Sequence, residues 1–207
     1  REYLLTLPLR KSADILILAG DIIYLNDMFY RMEEINQWAS DFERVFIVPG
    51  NHEFYNKTFP ISRIFPSYKF ELRENIHIVN NQTEIIDGIR FIFTTLFTRI
   101  DPTHSLGVKR SMGDFHYSKF DEKSLLSLTV DEYNNCHSKC RAFLEIELAE
   151  KHKGPTIVVS HHAPYDSRRI PDYPHDHEGV LNSAFHVNLS LLMKSYRIDH
   201  WISGHTH

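Results

Sequence analysis

The sequence has only two cysteines, Cys136 and Cys140, and they stand four apart in a segment with helical periodicity. Helix geometry puts both on one face and disfavours a disulfide at that spacing, so a disulfide scaffold is excluded and two reduced, structural thiols are expected. No apolar run approaches the roughly 20 residues that a membrane-spanning helix needs. The start of the chain lacks the charged-then-apolar pattern of a secretory signal. The expectation is therefore a cytoplasmic protein with no membrane partner. Neither sign of charge dominates: 23 Lys and Arg stand against 27 Asp and Glu, a formal net charge of -4. A basic face for a phosphate backbone is missing from that balance, so nucleic acid is not the favoured partner. There is no internal repeat, no low-complexity stretch, and no motif that sets an oligomeric state.

Histidine is what the sequence has in unusual quantity, 14 in 207 residues. It is the commonest metal ligand and the usual proton carrier near neutral pH. Hydrophobic residues at 42% and charged residues at 24% are ordinary for a globular protein, and the length suits one domain over 1–207 with a substantial core.

The apolar runs place the histidines. Asp14-Ile15-Leu16-Ile17-Leu18-Ala19 reads as a strand buried on both faces and stops at Gly20-Asp21. Met28, Phe29, Met32, Ile35, Trp38, Ala39 and Phe42 recur at helical spacing, predicting one helix from about Asn26 to Arg44. Val45-Phe46-Ile47-Val48 is the next strand and ends at Pro49-Gly50-Asn51-His52-Glu53. Strand, helix, strand over this length is a crossover unit, so the two strands should be parallel, with Asp21 and Asn51 on one edge. The stretch from Phe54 to Phe70, interrupted by Pro60 and Pro66, reads as loop and short helical turns. Strands follow at 76–79, 83–86 and 89–94, the last two joined by Asp87-Gly88, a two-residue hairpin signal. Residues 101–124 read as a long surface excursion of the kind that forms lids. Thr129 and Glu132 form a capping box at the start of a helix reaching Lys151. Thr156-Ile157-Val158-Val159 is a buried strand ending at Ser160-His161-His162-Ala163-Pro164. After a polar loop at 165–180 and a helix near 184–195, Ile198-Asp199-His200-Trp201-Ile202 leads into Gly204-His205-Thr206-His207.

Four strand ends thus offer Asp21, Asn51 with His52, His161 with His162, and His205 with His207. Imidazole nitrogens with carboxylate and amide oxygens are the donor set that divalent transition ions favour. In extended chain His205 and His207 point the same way.

This series, in this order, resembles the calcineurin-like metallophosphoesterases, and its flanking residues resemble a bacterial and phage branch. The resemblance implies a four-layer αββα sandwich, an α/β (α+β) fold of two mixed β-sheets flanked by helices, with a dinuclear metal centre at the C-terminal ends of the strands. It implies two divalent ions, Mn2+ foremost, with Fe, Zn, Mg, Ni or Co as alternatives. Asp21 resembles the bridging carboxylate, Asn51, His161 and His205 the other ligands of one ion, and His207 a ligand of its partner. His52 resembles the histidine that protonates the leaving group or steadies the phosphoryl oxygens, and His162 is left as a supporting residue. The implied reaction is hydrolysis of a small-molecule or nucleotide phosphomonoester or phosphodiester, by a hydroxide held between the ions. The family's opening Asp-x-His pair does not precede Asp14, and the sequence begins at Arg1 and stops at His207. A segment truncated at both ends is the expectation, and true loss of the pair would mean the alternative, a non-catalytic scaffold or binding module. Lesser candidates are Arg168 and Arg169 for substrate phosphate, His175 and His177 in a polar loop, and the aromatics Phe115, Tyr117 and Phe120 as anchors of the excursion. Glu53 has no role readable from the sequence.

Overall fold

A computed structural model describes residues 11–124, 126–165 and 181–205. Its first sheet holds β1 (Ile15–Leu18), β2 (Arg44–Ile47), β3 (Tyr68–Arg73) and β4 (Ile76–Asn80) in the order β1-β2-β4-β3. Strands β1, β2 and β4 run parallel, and β3 pairs antiparallel with β4. The second sheet holds β5 (Gln82–Ile86), β6 (Ile89–Thr94), β7 (Thr156–Ser160) and β8 (His200–Ser203) in sequence order. Its first pair is antiparallel and the rest parallel. Both sheets are mixed, as expected.

Side-chain alternation along each strand builds the layers. Phe46, Val48, Phe91, Phe93 and Val159 form one cluster with Ile15 and Ile17, and the rings of Phe46 and Phe93 stack at 4.7 Å between the sheets. The alternate residues Leu16, Leu18, Val45, Ile47, Ile92 and Val158 belong to the larger cluster that also contains helical residues. Most of those come from α1 (Leu25–Met28), α2 (Met32–Ala39) and the long α5 (Val130–Ala149). Two short helices, α3 (Ser105–Ser111) and α4 (Asp114–Tyr117), lie in the excursion, and α6 (Asn182–Phe185) and α7 (Ser190–Ser195) precede β8. No described helix is long and apolar enough to cross a membrane.

The crossover from β1 to β2 is parallel, so the turns after both strands share one edge. The hairpin forms at Asp87-Gly88, both with positive φ, and both hydrogen bonds of the Thr129–Glu132 capping box are made. Cys136 and Cys140 are buried and form no disulfide, and burial raises the pKa of both thiols.

Four expectations need correction. The helix over Asn26–Arg44 is two helices, and the second stops at Ala39 because the Asn75 amide donates to the Ala39 and Phe42 carbonyls at 3.2 and 2.9 Å, closing its C-terminus. Residues 68–73 are strand, with Tyr68, Phe70 and Leu72 turned inward and Lys69, Glu71 and Arg73 exposed. The helix near 184–195 is likewise two short ones, α6 and α7. Strand β1 is half-buried rather than buried, because among the described residues it is the edge of its sheet.

Candidate metal centre

Four turns at the C-terminal ends of β1, β2, β7 and β8 meet across the gap between the sheets. The first two approach so closely that a Cβ on Gly50 would collide with the Asp21 carboxylate and the His161 ring. Gly20, at φ 89°, and Asp21, at φ 62°, turn the chain through the left-handed region immediately after β1. For Asp21 that conformation is tolerated but not favoured, so something must hold it.

Glu53 holds it. Its carboxylate is buried, and Oε2 accepts from the Asp21 and Gly50 N–H groups at 2.8 and 2.7 Å. Oε1 accepts from the Ile22 and Ile23 N–H groups at 2.6 and 3.2 Å. One side chain therefore ties the turn after β1 to the turn after β2. Burial and then the neighbouring Asp21 carboxylate push the Glu53 carboxyl up to about 7, while the backbone donors from Asp21, Ile22 and Gly50 pull it down.

His161 is fully buried, and its Nδ1 lies 2.7 Å from the Ala19 carbonyl. A carbonyl only accepts, so Nδ1 carries the proton and the neutral ring presents a lone pair at Nε2. That Nε2 lies 3.1 Å from Asn51 Oδ1, 3.1 Å from His205 Nδ1 and 3.5 Å from Asp21 Oδ1. Asn51 cannot supply a proton there, because its amide nitrogen donates to the Tyr55 hydroxyl at 3.0 Å and the Asp114 carboxylate at 3.1 Å. With a neutral His161 ring, Nε2 and Oδ1 are two acceptors facing each other. Such a contact is relieved by a cation, and two oxygen and two imidazole donors make a set that suits a divalent transition ion.

The Asp21 oxygens face different ways. Oδ1 points to His161 and accepts the His52 backbone N–H at 3.1 Å, while Oδ2 is 4.0 Å from His52 Nε2. The His52 side chain is one-third exposed, with its ring stacked on Tyr55 at 4.2 Å between centroids. It borders the cluster without joining it. His162 is fully buried, with Nδ1 3.2 Å from the Thr95 carbonyl and Nε2 3.4 Å from the Tyr133 hydroxyl. It can also form a three-histidine cluster with His161 and His205, whose candidate ligand nitrogens all lie within 4.8 Å of one another. Burial, followed by the nearby His205, holds the His162 imidazole well below its ordinary pKa and so keeps it neutral.

The structure thus brings Asp21, Asn51, His161 and His205 together and sets His52 beside them. His207, Arg168, Arg169, His175 and His177 lie outside the described residues. Phe115 is buried as an anchor, whereas Tyr117 is 57% exposed beside Tyr55. Glu53 and Asp114 are what the sequence did not disclose. Their partners stand up to 32 and 63 residues away, and Asp114 sits in a stretch without periodicity.

The family model for the calcineurin-like phosphoesterases matches residues 2–207. The chain belongs to that family. Calcineurin-like phosphoesterases typically bind divalent metals, in agreement with the donor set above. The uncharacterized protein L509 of Acanthamoeba polyphaga mimivirus is 32% identical over 177 residues, which is 80% of this chain and 62% of that protein. The chain therefore spans about three fifths of the length of this curated relative. Among solved structures, the phosphopantetheinyl hydrolase PptH from Mycobacterium tuberculosis superposes with a TM-score of 0.64 at 15% identity, covering 100% of this chain and 77% of that one. At that identity the likeness concerns the fold, two mixed sheets with flanking helices.

Proposed function

We propose that this chain is the catalytic part of a metal-dependent phosphoesterase that hydrolyses a small-molecule or nucleotide phosphomonoester or phosphodiester. The observation that carries the reading is the convergence of Asn51 Oδ1, His205 Nδ1 and Asp21 Oδ1 on His161 Nε2, at 3.1, 3.1 and 3.5 Å. Asp21, Asn51, His161 and His205 would hold one divalent ion. Asp21 and His207 would serve a second, and Mn2+ is the first ion to test. Bound divalent ions supply Lewis acidity, offsetting phosphate charge and lowering the pKa of water.

The residues of the chain divide the remaining work. The Ala19 carbonyl keeps the proton of His161 on Nδ1, so that Nε2 stays available. The backbone of His52 steadies Asp21, and its imidazole stands at the exposed rim where a leaving oxygen would need a proton. Stacking on Tyr55 fixes the plane from which that proton is delivered.

The test is hydrolysis of p-nitrophenyl phosphate and its bis-ester by the full-length protein with added Mn2+. Turnover of either ester supports the reading. No turnover of both by metal-loaded protein would refute it and favour a binding module.

A further inference from the structure

The residues that orient the candidate centre come partly from the excursion at 101–124. Asp114, on α4, is 1% exposed, and its Oδ2 receives two hydrogen bonds, from the Tyr55 hydroxyl at 2.8 Å and from Asn51 Nδ2 at 3.1 Å. The Tyr55 hydroxyl has one proton and gives it to Asp114, so its lone pair faces the Asn51 amide at 3.0 Å. Both Asn51 N–H bonds are thereby used, and the amide can present only its oxygen to His161. The opposite face of the same arrangement is the Tyr55 ring, stacked on His52 with 24° between planes.

We infer that Asp114 and Tyr55 are positioning residues: Asp114 fixes which end of the Asn51 amide faces the metal centre, and Tyr55, held by Asp114, sets the plane of His52. This rests on the proposed metal-dependent function, and it makes docking of the excursion part of assembling the site. A purely structural Asp114 would contribute to stability alone. A positioning Asp114 must in addition change what the folded site binds. In Asp114→Asn the amide oxygen can still turn to both donors, but it carries no charge, so its hold on the Asn51 amide is weaker. Losses of about 10- to 100-fold in metal affinity or activity are the usual cost of removing such support.

The experiment is calorimetric titration of the metal-free, full-length protein with Mn2+, together with a thermal melt of each metal-free variant. Asp114→Asn is expected to bind Mn2+ about 10-fold or more weakly. Tyr55→Phe keeps the ring on His52 and loses one amide partner, and its Mn2+ affinity is expected to fall by a few-fold. Tyr55→Leu keeps neither, and its turnover should fall further than that of Tyr55→Phe. If Asp114→Asn does not fold, Tyr55→Phe decides by the same titration. Unchanged Mn2+ affinity in the folded variants, with only a lowered melting temperature, overturns the inference while leaving the parent's phosphoesterase activity as a separate result. The titration reads metal binding directly, so it decides even if the parent turns over neither ester.

Discussion

The two sheets bring opposite chemistry to the same centre. The first contributes oxygens, from Asp21 and Asn51, on turns that are pinned by side-chain carboxylates: Glu53 on four backbone N–H groups and Asp114 on the Asn51 amide. The second contributes imidazole nitrogens, from His161 and His205. Here backbone carbonyls do the pinning: Ala19 receives the His161 ring proton, and the Gly204 N–H donates to the His161 carbonyl. The oxygen donors are aimed by holding a backbone or amide N–H, whereas the His161 imidazole is aimed by occupying its other ring nitrogen. Asp21, Asn51 and His161 are thus set by groups that donate nothing to the centre themselves.

The largest effect is expected at Asp21, whose carboxylate faces both His161 and His52. Asp21→Ala should lower metal content, measured by elemental analysis, and reduce turnover of p-nitrophenyl phosphate by about 10³-fold, since metal-based charge stabilisation is worth several kcal/mol. Metal content equal to the parent's would remove the oxygen side from the account. His52→Ala sharpens the distinction between holding and delivering. Its metal content should stay at the parent value while kcat falls by about 10²-fold or more, the range of a general acid. A loss of metal instead would make His52 a ligand.

The next effect falls on stability. Glu53→Gln sets an amide nitrogen against two of the four buried N–H donors; at about 1–3 kcal/mol for each unsatisfied donor, about 2–6 kcal/mol together, the melting temperature should drop by roughly 4–24 °C. An unchanged melting temperature would mean that water serves the turn as well as the carboxylate does.

The smallest effect concerns the helix behind the nitrogen side. His137, on α5, is buried, with Nδ1 2.7 Å from the Phe97 carbonyl, and burial holds its imidazole below the ordinary value of about 6.5. Arg141 and Arg99 add to the lowering, and the Phe97 carbonyl opposes it. The unfolded chain then takes up the proton more readily, so stability should fall as pH is lowered through 6.5 and flatten once the folded form is also protonated. His137→Gln should weaken that dependence in thermal melts across this range, and an identical profile would assign it to other groups.

Much of the fold was legible because apolar runs end abruptly at glycine. Gly20, Gly50 and Gly204 mark where β1, β2 and β8 give way to the candidate donors. The Asp87-Gly88 hairpin and the Thr129 capping box were equally local and equally readable. Strand β3 carried a period-two signal at Tyr68, Phe70 and Leu72, but Pro60 and Pro66 drew the reading towards loop. The break between α1 and α2 leaves the apolar periodicity intact, and the early stop at Ala39 depends on Asn75, which only the fold brings near. The same holds within the site. Asp21, Asn51, His161 and His205 announce themselves by residue type and place, whereas Glu53 and Asp114 act chiefly through hydrogen bonds that span 30 residues or more.

The most direct test is to soak crystals of the full-length protein in Mn2+ and locate the ion by anomalous scattering. A peak bounded by Asp21 Oδ1, Asn51 Oδ1, His161 Nε2 and His205 Nδ1 is expected. A Mn2+ peak elsewhere, with these four side chains left in contact with one another, would contradict that assignment.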